Sequence, residues 1–146
     1  MFVAIGVVVL GGAGGFYAWF TLHHKPPKVT VAAPKPILFA AVANVVVSVP
    51  DNTGDPPSAF VQFAVEFATT DPDALTAFAG VQPIIKSQII TLLMNETGAS
   101  LQNAANRASL TQNCLKDANE VLAHSASYTA PRAFTAAYIT NLVVQD

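Results

Sequence analysis

Cysteine, histidine and carboxylate side chains are where this 146-residue chain could do chemistry. It has a single cysteine, Cys114, and three histidines, His23, His24 and His124. A cysteine nucleophile needs a histidine within hydrogen-bond reach to take its proton. Cys114 and His124 are ten residues apart. On one helix that separation is about 15 Å along the axis, with the side chains pointing apart. Ser125 and Ser127 flank His124 without an evident acid partner. His23 and His24 are adjacent with no third donor nearby, so they read as polar residues beside an apolar segment. One cysteine excludes an internal disulfide and a cysteine-cluster metal site. Asp71-Pro72-Asp73 is explained by helix capping, with the proline in the first turn. No glycine-rich loop outside residues 1–22 could cradle a phosphate. The expectation is a chain with no catalytic residues, no cofactor and no metal.

Charge narrows the partners. Residues 1–36 carry Lys25, Lys28 and Lys35 and no acid. Residues 37–146 carry four basic residues (Lys86, Arg107, Lys116, Arg132) against nine acids, a formal balance of −5. Nucleic-acid binding needs a basic stripe to neutralise phosphates, and none is present. The three lysines could instead meet lipid head groups or simply be solvated.

The elements that would hold such a chain in place begin with Met1 to Leu22, MFVAIGVVVLGGAGGFYAWFTL, which has no charged side chain. As a helix it is about 33 Å long, enough to cross a hydrocarbon core of about 30 Å. Phe16, Tyr17, Trp19 and Phe20 gather at its far end, where aromatic rings favour the membrane–water boundary. A cleaved signal peptide would want a basic leading region, a shorter apolar core and a small-x-small site. The nearest such triplet, Val31-Ala32-Ala33, lies well past the apolar run. A buried soluble helix is disfavoured by Gly11, Gly12, Gly14 and Gly15. In lipid, Gly11 and Gly15 have the spacing that lets two helices approach closely. The segment is therefore read as a transmembrane helix. Lysines on its C-terminal side alone would place the rest of the chain in the cytoplasm by the positive-inside rule.

Residues 23–36 form a Pro/Lys-rich stalk, with Pro26, Pro27, Pro34 and Pro36 favouring an extended spacer. A domain over 37–146 follows. Ile37 to Val49 reads as a strand with its odd positions apolar and with Asn44 and Ser48 on the other face. Turn residues 50–57 separate it from Ser58 to Thr69. There Val61, Phe63, Val65 and Phe67 alternate with Gln62 and Glu66. A short helix from Asp71 to Phe78 is expected to stop at Gly80. A second should run from Pro83 to Glu96, with Ile85, Ile89, Leu92 and Leu93 at helical spacing and Gly98 ending it. After a break near Ser100, a longer helix covers most of Leu101 to Ala123. Its seam is Leu101, Ala104, Ala108, Thr111, Leu115, Ala118 and Leu122, with Cys114 beside it. The last strand, Ala133 to Gln145, sets Phe134, Ala136, Tyr138, Leu142 and Val144 on one face. Strand, strand, helices, strand is a small α/β domain on a mainly antiparallel sheet.

Three stretches of this domain, in order, resemble the FliL family of flagellar basal-body-associated proteins. They are the strand with a polar residue at Asn44-Val45, followed by Phe60-Val61-Gln62-Phe63; the helix from Pro83 to Leu93, with Ile85, Ile89 and Leu92; and the strand from Tyr138 to Val144 and Gln145. The resemblance implies a single inner-membrane span, a periplasmic stomatin-like domain and no enzymatic activity. It also implies association with flagellar stator subunits in support of torque and motility, and self-assembly into a ring. This chain departs from the family in starting inside its apolar segment and in its poverty of charge. A bitopic adaptor of another envelope machine, for secretion or pilus assembly, would need the same anchor, stalk and docking domain.

Overall fold

The computed structural model describes residues 33–51, 57–126, 128 and 132–145. The span Met1 to Leu22, its Gly11 and Gly15, and the stalk up to Ala32 lie outside the described residues. From Lys35 onward the chain forms one compact unit. Its elements run β1 (Leu38–Pro50), β2 (Pro57–Thr69), α1 (Pro72–Met94), α2 (Gly98–Gln102), α3 (Ala104–Ser125) and β3 (Ala136–Gln145). The strands make one antiparallel sheet in the order β1-β2-β3. Helices α1 and α3 pack on each other and cover one face, α1 against β1 and α3 against β3. This is the α/β architecture expected from the pattern.

Strand β2 behaves as its alternation dictates: Val61, Phe63, Val65 and Phe67 are all buried. Strand β1 does not keep one parity. Ala40 and Val42 are buried, and so are Val45, Val47 and Val49. The switch is a β-bulge, in which Val42 pairs with Val65 and Val45 with Phe63, so two residues of β1 oppose the single Ala64. Asn44 sits in the bulge with φ 55, a left-handed conformation that asparagine tolerates better than most residues. The expectation that Ile37, Phe39, Ala41 and Ala43 share the inner face is thus wrong; Phe39 is 53% exposed. A second shift lies across the sheet, where Ala64 pairs with Asn141 and Val65 with Ile139, leaving Thr140 over. It turns Tyr138 outward, against the expected pattern, and keeps Leu142 and Val144 inward.

Helix α1 is one element where the sequence suggested two. Its buried residues are Ala74, Phe78, Val81, Ile85, Ile89 and Leu93, a seam that runs unbroken past Gly80 and Pro83. Burial of that seam outweighs local costs of about 1 kcal/mol for glycine and about 3 kcal/mol for proline. Asp71 caps it, accepting from the Asp73 amide at 3.0 Å, and Asn95 ends it. By length and apolarity α1 could cross a membrane, yet its apolar seam is the core of this domain.

Two further boundaries differ from expectation. Gly98 opens α2 rather than ending α1. It is buried, and a Cβ there would lie 3.2 Å from the Ala59 Cβ. The break before α3 falls at Asn103, which ends α2 and caps α3, accepting from the Ala105 amide at 2.9 Å. The α3 seam is Leu110, Cys114, Ala118 and Leu122. Ala104 and Ala108, expected inside, are exposed and line an open groove beside β3.

Phe67, Phe78 and Phe134 join sheet and helix at the centre, with ring centroids 5.3 to 6.2 Å apart. Asn119 fastens the approach to β3. Its side-chain carbonyl accepts from the Phe134 amide at 2.9 Å, and its amide donates to the Phe134 carbonyl at 3.1 Å.

Candidate docking surface

The residues that could have done chemistry are kept apart. Cys114 is fully buried in the α3 seam. Burial, aided by the nearby Asp117 carboxylate, pushes its thiol up to about 12, far from the thiolate a nucleophile needs. His124 lies on the exposed last turn of the same helix. Among the described residues no group of histidine, cysteine and carboxylate side chains could hold a metal ion. No buried side-chain polar atom there lacks a hydrogen-bond partner. Asp71 has a structural role: Tyr128 donates to its carboxylate, and the Asp71 amide donates to the Thr69 hydroxyl at 3.1 Å. The Tyr128 bond and the Asp73 amide hold the Asp71 carboxyl below its ordinary range.

The sheet face away from the helices carries the unusual chemistry. Phe39, Val46, Phe60 and Tyr138 are each more than half exposed, and Val143 is 37% exposed. Phe39 and Tyr138 reach toward each other across the strands, ring centroids 6.3 Å apart. Between these residues lie Gln62, Asn44, Asn141 and Thr140, and Glu66 is the one charged side chain among them. The two bulges flank Ala64 on this face and leave a recess of about 150 Å³ lined by Asn44, Val46, Gln62 and Asn141. Isolated exposed apolar residues are ordinary, but a cluster on one sheet face marks an interaction surface.

The residues singled out in sequence divide between core and surface. Ile85 and Ile89 are buried in α1, and Leu92 is half-buried beside them. Val144 is half-buried against the core, and Tyr138 and Gln145 are exposed. Asn44 is exposed at the bulge, where its carbonyl accepts from Lys86 Nζ at 3.3 Å. Phe39, Val46 and Phe60 were missed as surface residues. For Phe60 the signal was available, since it falls out of phase with Val61 and Phe63.

The described residues thus define a two-layer α/β domain whose chemistry is apolar contact on an open sheet face. A family model described as flagellar basal body-associated protein FliL matches residues 39–145, and the chain belongs to that family. No curated protein matches the chain.

Proposed function

We propose that this chain is an inner-membrane-anchored accessory protein of the flagellar motor. It is held by Met1 to Leu22, with the domain from residue 37 onward in the periplasm. It acts by binding and not by catalysis: it associates with the stator units, supports torque and motility, and assembles with copies of itself into a ring. The family match over residues 39–145 carries this reading. The open apolar face supports it, because a docking domain needs exposed contact area and this face offers Phe39, Val46, Phe60 and Tyr138 with little charge. The test is in-cell photo-cross-linking from Val46 and Phe60 in the full chain, with identification of the captured proteins. Stator subunits captured from both positions are the expected result. Capture of another envelope machine's components, or of cytoplasmic proteins alone, overturns the motor assignment or the orientation respectively.

A further inference from the structure

The open sheet face holds a single charge. Glu66 lies on β2, directly opposite Ala41 on one side and Tyr138 on the other. It is half-buried, and among the described residues no cation pairs with its carboxylate. Phe39 on β1 and Tyr138 on β3 lean toward each other across β2, ring centroids 6.3 Å apart. Ala68, opposite Phe39, is 3% exposed although it is no member of the core beneath the helices. The two rings cover it on the open face, so the Glu66 carboxylate stands beside an aromatic step.

We propose that the partner of this face is a polypeptide segment carrying an arginine, which seats against both the Glu66 carboxylate and the Tyr138 ring. This deepens the docking function proposed above and rests on it. Docking takes water from the face, and a carboxylate stripped of water without a counter-charge is strongly unfavourable. The domain supplies no counter-charge, so the partner must. A guanidinium suits the place better than an ammonium. Its planar fork can donate two hydrogen bonds to one carboxylate while its flat side lies on a ring, and it gives up its hydration more readily. The formal balance of −5 over residues 37–146 draws a basic segment in the same sense.

The far end of the face sets the second anchor. Val46, Gln62 and Val143 share one row of the sheet, and Phe60 lies just beyond. From Glu66 to Phe60 is six residues along β2, about 20 Å. The partner segment therefore presents an apolar side chain about 20 Å from its arginine. Between the two, Gln62 and Asn141 ask only for neutral hydrogen-bonding groups.

The test uses the full chain in cells, with a photo-cross-linking residue at Phe60 and with Glu66 varied. Glu66→Gln keeps the shape and removes the charge, and capture of the partner should fall about tenfold, as when a buried interfacial pair loses one member. Glu66→Asp should keep most of the capture. A cross-linking residue at Ala41, beside Glu66, should mark a partner peptide that contains arginine. Exchanging that arginine for glutamate should abolish capture by the unaltered chain and restore it with Glu66→Arg. Capture unchanged by Glu66→Gln, a marked peptide without arginine, or an exchange that restores nothing overturns the arginine seat and leaves the docking function standing. Adducts only to a second copy of this chain overturn the occupant. No adduct from Phe60 or Val46 with Glu66 intact overturns the docking function itself.

Discussion

Replacing Gly80 with alanine should stabilise the domain. Gly80 lies within α1, and a Cβ built on it meets nothing within 4 Å. An exposed glycine in a helix interior costs about 1 kcal/mol relative to alanine, chiefly through the backbone freedom of the unfolded chain. For a domain of this size about 1 kcal/mol raises the midpoint of thermal unfolding by about 4 °C. The assay is thermal unfolding of the purified protein followed by far-UV circular dichroism, with urea unfolding as a second measure. The sign decides the matter. A glycine ending a short helix adopts the left-handed conformation, and alanine there would lower stability by a similar amount. A fall in the midpoint would therefore refute the continuous α1 and restore the two-helix reading. Pro83→Ala extends the test by restoring an N–H toward the Ala79 carbonyl, and should add up to about 3 kcal/mol. The two sites are three residues apart, so their effects need not sum.

Phe134→Ala removes the ring that touches both Phe67 and Phe78 and should cost about 3–5 kcal/mol in urea unfolding. Asn44→Val forces a β-branched residue into φ 55 and should cost about 1–3 kcal/mol, whereas Asn44→Gly should be nearly neutral; equal losses would show that the side chain, not the backbone, matters. Tyr128→Phe should flatten the pH dependence of stability at both ends. Asp71 has a lowered folded pKa, so its contribution is present above the ordinary carboxylate value and lost as pH falls through the lowered one. Tyr128 is raised to about 12, by burial and by Asp71, so in the native protein stability falls as pH rises from about 10 to 12. An unchanged acid limb in the variant would mean that the Tyr128–Asp71 bond does not couple to folding.

The legible parts of the fold were those where a single periodicity ran without interruption. Strand β2 alternates from Val61 to Phe67, and its inner face was readable outright. Strands β1 and β3 each lose phase once, at Asn44 and Thr140, and a one-residue shift reverses every later side chain. In β1 the valine run around Asn44 hid the change, because apolar residues stood on both faces. Gly80 and Pro83 looked like punctuation, yet the seam from Ala74 to Leu93 held the helix together; local signals lost to packing. The docking surface was least legible. Its exposed Phe39 and Tyr138 look like core residues in a one-dimensional pattern, and only the bulges turn them outward.

The central strand of this sheet acquires its two neighbours at very different times. Strand β2 follows β1 after six residues of chain, whereas β3 arrives only after three helices have been made. During synthesis the inner edge of β2, with its run of valines and phenylalanines, waits uncovered until residues 136–145 have left the ribosome. Long-range pairing of this kind is slow and leaves an aggregation-prone edge exposed. A chain cut short before β3 would present a hairpin with an adhesive flank. The cell's quality control, rather than the motor, would be the first to meet it.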